Sequence, residues 1–265
     1  MRPAPLSKGW IVRTKPSPRA RLRLFCFPCG GVGASPYKQW PEALGPLFDV
    51  CALHPPGREA RRSEPTITAI EPYLDQVVEA LRPLLDKPFA FFGHSVGALV
   101  AFEVTRRLRR EGAPLPVHLF VSGRHAPQWL LEERAQLLPD PEFIALLRTL
   151  NGLPAAVLES RELMEVMLPI LRADCVLHES YVYADEPPLE VPIAAFAGVD
   201  DPTAVEAQLL AWGAQTRARF SLRRIEGDHF YLNAQREVLL GAIREELGEV
   251  LGGSWPPASA TGKVR

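Results

Sequence analysis

Phe89-Ala90-Phe91-Phe92-Gly93-His94-Ser95-Val96-Gly97-Ala98-Leu99 is the stretch on which the fold turns. A short aromatic run bounded by glycine reads as a buried strand, and Val96 to Arg110 then takes up helical spacing. Between them stands G-x-S-x-G, and a strand before with a helix after is the setting of a nucleophile elbow. Glycines two residues either side of the serine leave room for close backbone approach. The turn lifts the Ser95 hydroxyl clear of the sheet and over a helix N-terminus, whose free N–H groups favour developing negative charge.

Working outward, apolar runs of strand length recur at Leu22–Phe27, Phe48–Leu53, Phe89–Gly93, His118–Ser122, Ile193–Ala197 and Phe220–Ile225. Their brevity and their aromatic and β-branched content predict parallel strands buried on both faces. Helical patterns lie between them. In Ile67 to Leu85, Ile70, Tyr73, Leu74, Val77, Val78, Leu81 and Leu85 recur at threes and fours, with Thr66 as a candidate cap. Val205 to Thr216 and Glu237 to Leu251 are further helices. This alternation predicts an α/β fold, a mostly parallel sheet flanked by helices.

The segment from Ala126 to Pro188 interrupts the rhythm with helical patterns alone. A helical insertion of about 60 residues between two core strands reads as a lid or cap, the alternative being an ordinary helical excursion packed on the core. Within it, Leu163, Val166, Met167, Ile170 and Leu171 are expected to form one apolar face. Residues 1–252 are expected to be a single domain with this insertion at about 126–188, and 253–265, rich in Gly, Pro, Ser and Ala, a disordered tail.

Composition narrows the function. The chain has 265 residues, with 30 Lys plus Arg against 31 Asp plus Glu, a net charge of −1. That balance gives no electrostatic basis for nucleic-acid binding. No apolar run reaches the roughly 20 residues needed to span a bilayer, and Met1 to Lys15 lacks the apolar core of a secretory signal. The 27 prolines lie scattered among apolar runs and read as loop punctuation. Cys26-Phe27-Pro28-Cys29 is formally C-x-x-C. It closes an apolar run, is followed by glycines and has no second pair for zinc, so reduced thiols packed as small hydrophobes are expected, in the cytoplasm.

A serine hydroxyl needs a base, itself oriented by an acid, and in this fold they follow in that order of Ser, acid, His. His229 comes after the last strand-like run and a Gly227-Asp228 turn, where the final sheet loop should lie. His178 falls inside the insertion. For the acid, Gly198-Val199-Asp200-Asp201-Pro202 offers two carboxylates. Proline biases Asp201 toward extended backbone leaving the strand end, so Asp201 is preferred to Asp200, with Asp228 a weaker rival. The oxyanion hole needs the N–H of Val96 and one from an early loop. Pro28-Cys29-Gly30-Gly31-Val32-Gly33 is glycine-rich enough to serve, and it lacks both the dinucleotide spacing and a P-loop lysine.

Several stretches together carry a more specific likeness. They are Phe27-Pro28 with its glycine loop, Pro56-Gly57-Arg58, Phe92-Gly93-His94-Ser95-Val96-Gly97-Ala98, and Ser122-Gly123-Arg124 with Ala126-Pro127. With them go Leu168-Pro169-Ile170-Leu171-Arg172-Ala173-Asp174, Asp201-Pro202 and Gly227-Asp228-His229-Phe230. From Leu22 to Leu251 the chain resembles the free-standing, type II thioesterases that accompany polyketide and non-ribosomal peptide synthetases. The resemblance implies an α/β-hydrolase with a helical lid over an acyl pocket, needing no cofactor of its own. It implies hydrolysis of acyl groups from the phosphopantetheine arm of an acyl or peptidyl carrier protein; the protein itself is expected to be a monomer. Carried over residue by residue, Ser95, Asp201 and His229 form the triad, and Gly30 and Val96 supply the oxyanion N–H groups. The family usually has Ala at Gly30, Gly at Val32, Met or Leu at Val96 and Gly at Asp228; the first three bear on pocket shape rather than on backbone donors, and Asp228 adds a negative charge beside the base. Two arginine groups could receive an acidic carrier: Arg106, Arg107, Arg109 and Arg110, or Arg58, Arg61 and Arg62. A carboxylesterase or lipase would share the same triad, and some relatives of this fold are non-catalytic binding modules.

Overall fold

The computed structural model describes residues 9–129, 134–150, 153, 155–248 and 250–252. Seven strands form one sheet: β1 (Ile11–Val12), β2 (Leu22–Phe27), β3 (Phe48–Leu53), β4 (Phe89–His94), β5 (Leu119–Ser122), β6 (Ile193–Gly198) and β7 (Phe220–Ile225). Their order is β1-β3-β2-β4-β5-β6-β7, and every pair is parallel except β1 with β3. The expected strands are all present to within a residue at each end. The two-residue edge strand β1 is too short to show a period and was not among them.

The helices are α1 (Trp40–Leu44), α2 (Ile70–Leu81), α3 (Val96–Arg110), α4 (Asp140–Thr149), α5 (Ala155–Glu159), α6 (Arg161–Glu179), α7 (Glu206–Leu210), α8 (Tyr231–Ala234) and α9 (Arg236–Glu246). Alternate residues of the central strands point to opposite layers. Phe25, Phe27, Phe89 and Phe91 pack with α2 and α3, whereas Leu24, Cys26, Ala90 and Phe92 pack with α1 and α9. Burial on both faces explains why these strands read as unbroken apolar runs.

Three local expectations are corrected. Thr66 does not cap α2: the helix starts at Ile70 after Ala69, without a side-chain cap. Pro72 is tolerated only in a first turn, which fixes that start. The run Val205–Thr216 is α7 followed by a 3-10 turn over Ala211–Gln215 rather than one helix. The pattern Glu237–Leu251 stops as a helix at Glu246, just before Leu247 and Gly248. Between β5 and β6 the described residues hold helices α4 to α6 and a 3-10 turn but no strand. This insertion has a small core of its own around Phe143, Leu147, Met164 and Leu171. Leu163 and Val166 lie 47% and 58% exposed, so the buried stripe of α6 is turned away from the expected one. Apolar residues at seven of nine positions from Leu163 to Leu171 leave the phase of the stripe undetermined. Residues 253–265, expected to be a disordered tail, lie outside the described residues. No described helix is long and apolar enough to cross a membrane.

Candidate active site

The chain leaves β2 toward β3 on one side of the sheet and leaves β4 toward β5 on the other. Such a reversal opens a crevice at the carboxyl ends of the strands, where open α/β sheets bind ligands. The glycine loop after β2 and the turn after β4 meet there. They meet closely: a side chain on Gly97 would place its Cβ 2.2 Å from the Phe27 carbonyl oxygen, and one on Gly93 would strike the Gly97 carbonyl oxygen at 2.2 Å. Both glycines of G-x-S-x-G are therefore required by contact between backbones.

Ser95 sits at φ 55°, ψ −121°. A left-handed φ on a non-glycine residue costs on the order of 1–3 kcal/mol and persists only where the surroundings impose it. Here the Ser95 N–H donates to the Ser122 carbonyl at 2.8 Å, and the α3 N-terminus starts at once. The Val96 N–H is in the first turn of α3, where no intrahelical acceptor exists.

His229 follows β7 and Asp201 follows β6, so both stand at the same carboxyl edge. The His229 Nδ1–H donates to Asp201 Oδ2 at 2.8 Å, and both residues are buried. Asp201 Oδ1 accepts from the Thr203 N–H at 2.9 Å and its hydroxyl at 2.7 Å. Burial alone would raise the Asp201 carboxyl, but the hydrogen bonds from His229 and Thr203 outweigh it and hold it below the usual range. Asp200 is exposed and its N–H donates to the Gly227 carbonyl, while Asp228 accepts from the Phe230 N–H. Of the three candidate carboxylates, Asp201 is the one that meets the imidazole.

The His229 ring lies 5.0 Å, centroid to centroid, from that of His94, the residue before Ser95. Among the described residues Ser95 Oγ makes no hydrogen bond within 3.5 Å, as is common before substrate tightens such contacts. His94 is fully buried. Its Nδ1 bonds Ser122 Oγ at 2.9 Å, which in turn bonds the Tyr231 hydroxyl at 2.7 Å. Burial first, and then the neighbouring His229, push the His94 imidazole well down, so it is neutral near pH 7.

The glycine loop is held by two carboxylates. Asp174 of α6 accepts from the Gly31 N–H at 2.7 Å and pairs with Arg58 at 2.7 Å, all of it buried. Glu59 accepts from the Gly33 N–H at 2.9 Å and the Ser35 hydroxyl at 2.5 Å, from a backbone at φ 47°. The Gly31 N–H is thus occupied, whereas that of Gly30 has no acceptor among the described residues. Asp174 and Arg58 are visible in the sequence only as parts of motifs. Their meeting across the fold, and the part played by Glu59 and His94, has no local signal.

Cys26 and Cys29 are unpaired and buried, and burial pushes the Cys29 thiol up to about 12. Among the described residues one set could hold a metal, Cys175, His178 and Glu179 of α6, with donor atoms within 4.8 Å of one another. Burial pushes the Cys175 thiol up to about 12 and the Arg124 cation lies near it, both of which oppose a divalent ion. The two arginine groups are largely occupied within the chain. Arg58 is buried on Asp174, Arg61 pairs with Glu64, Arg107 with Glu71 and Asp75, and Arg106, Arg109 and Arg110 converge on Glu186. Of these seven arginines, Arg62 alone is exposed with no such pairing among the described residues.

A parallel sheet with a strained serine turn on a central strand, and an acid-linked histidine on later strand ends, defines an α/β-hydrolase. The thioesterase domain family matches residues 22–247. The chain is 42% identical over 243 residues to the gramicidin S biosynthesis protein GrsT of Aneurinibacillus migulanus, covering 91% of this chain and 95% of that protein. It is 37% identical over 248 residues to the thioesterase PikA5 of Streptomyces venezuelae, covering 93% and 88%. The solved type II thioesterase BorB, from the borrelidin biosynthetic cluster, superposes with a TM-score of 0.82 at 38% identity, covering 92% of this chain and all of that one. The chain belongs to the thioesterase family, in its type II branch, and is a hydrolase of thioester bonds.

Proposed function

We propose that the protein removes acyl groups from the phosphopantetheine arm of acyl or peptidyl carrier proteins during polyketide or non-ribosomal peptide biosynthesis, with Ser95 as nucleophile. The biosynthetic setting of GrsT and BorB supports the pathway, and the 2.8 Å His229–Asp201 hydrogen bond at the same carboxyl edge of the sheet as the strained Ser95 supports the chemistry. With Nδ1–H held by Asp201, His229 keeps Nε2 as its basic nitrogen and takes the Ser95 proton as the hydroxyl oxygen attacks the thioester carbonyl. The Gly30 and Val96 N–H groups receive the oxyanion, each contributing on the order of 3 kcal/mol. The tetrahedral adduct collapses, the C–S bond breaks, and His229 returns its proton to the departing pantetheine sulfur. Water then gives a proton to His229 and attacks the acyl-serine, releasing the carboxylic acid and restoring the Ser95 hydroxyl. These steps draw on protein groups and water alone, so the proposal includes no resident cofactor.

Ser95→Ala tests this reading. Turnover of acyl-carrier thioester should fall by a factor of at least 10³, and intact mass should show acyl-enzyme on the parent protein only. Turnover persisting in Ser95→Ala refutes it. Side-by-side assay of p-nitrophenyl esters separates a thioesterase acting on carriers from a general carboxylesterase.

A further inference from the structure

The loop after β5 passes the proposed base before entering the insertion. A Cβ on Gly123 would stand 3.2 Å from His229 Cε1, and the next two residues are Arg124 and His125. His178 faces the same region from α6. It lies one turn beyond Asp174 on the stripe that also carries Leu171, and Asp174 and Leu171 both touch Gly31. The loop thus adjoins the base, and the face of α6 that carries His178 adjoins the glycine loop.

Three solvent-shielded polar atoms of these residues have no hydrogen-bond partner among the described residues: Arg124 Nε, His125 Nε2 and His178 Nδ1. Arg124 has no carboxylate within 4.0 Å among the described residues, unlike the buried Arg58 and Arg106. Burial holds the Arg124 guanidinium down at about 10, still charged at neutral pH. Burial and then the Arg124 cation push His125 to about 4 and His178 to about 3. Both imidazoles are therefore neutral near pH 7. His125 Nδ1 lies 3.0 Å from the Ala126 carbonyl, which can only accept, so Nδ1 carries the proton and Nε2 presents a lone pair.

Unpartnered buried polar atoms are rare and call for a partner. The partner here must accept from a guanidinium and donate to an imidazole nitrogen. A hydroxyl does both, a ketone only the first, and a carboxylate would face the His125 lone pair.

We propose that Arg124, His125 and His178 form an acyl-chain subsite that selects hydroxylated acyl groups, the hydroxyl oxygen accepting from Arg124 and its proton going to His125 Nε2. The subsite rests on the reading of Ser95 and His229 as the catalytic pair, because its position is defined from them.

The test uses N-acetylcysteamine thioesters of hexanoic, 3-hydroxyhexanoic, 5-hydroxyhexanoic and 3-oxohexanoic acids. At one hydroxyl position kcat/KM should exceed that for hexanoyl at least tenfold, and 3-oxohexanoyl should fall between the two. Arg124→Met should lower the hydroxyacyl-to-hexanoyl ratio at least tenfold, a loss of about 1.4 kcal/mol. His125→Leu should lower it as well, and it stands in if Arg124→Met does not fold. A parent ratio near unity, a ketone equal to the better alcohol, or ratios unmoved in a folded variant overturns the subsite. Hexanoyl hydrolysis and its loss in Ser95→Ala report separately on the catalytic reading.

Discussion

Gly123 lacks a side chain, and the site depends on that. Its φ of +59° favours glycine, and a Cβ there would come within 2.7 Å of His94 Cε1 and 3.2 Å of His229 Cε1. Alanine must therefore push one imidazole or the other. A displacement of about 1 Å at a base can cost a factor of about 10² in rate. Gly123→Ala is expected to lower kcat by at least that factor while circular dichroism keeps its native shape. Unchanged kcat would show that the two rings have room to yield. At this scale the sequence was informative where chemistry is local. Ser95 stood out by its turn, His229 by its place after the last strand, and Asp201 was favoured over Asp200 by the proline behind it. Gly123 and His94 were legible as letters in motifs, but their reasons were not. The rings that crowd Gly123 belong to distant strand ends, and His94 leans on Ser122 and Tyr231 across the sheet.

Helix α6 joins the insertion to the glycine loop through one carboxylate. Removing one member of a buried ion pair leaves the other uncompensated and costs about 3–5 kcal/mol, whereas removing both can be far milder. Arg58→Met is therefore expected to lower the unfolding free energy by about that amount in urea melts. Adding Asp174→Asn should restore part of the loss, the sign of a coupled pair. Equal or additive losses would mean that the two side chains act independently. Alternation of strand and helix could be read from pattern because each core strand is buried on both faces and each flanking helix on one. The insertion resisted such reading. Its apolar residues nearly encircle α6, and the buried position that matters most, Asp174, is polar.

Across the whole molecule, several histidines are folded into places that disfavour the imidazolium. Burial, with neighbouring charge or rings, lowers His94 well below its usual value, His118 and His125 to about 4, and His178 to about 3. In the unfolded chain each takes up a proton near pH 6.5, so between that value and the folded ones the unfolded state binds more protons. Stability is complete above about pH 6.5 and declines as the pH falls below it. Thermal melts from pH 7.5 to 5.0 should show a falling midpoint that begins near 6.5, and a flat profile would contradict these burials. Asp201 and Glu59, both held low, add a second loss only in stronger acid, as the pH drops through their folded values.

The reversal of strand order between β2 and β4 places the glycine loop and Ser95 together early in the chain, but His229 arrives only after β7. On the proposed assignment of Ser95 and His229, a growing polypeptide emerging from the ribosome holds its hydroxyl unarmed until all seven strands have been made. On that assignment, no fragment ending before the loop that follows the seventh strand can cut a thioester.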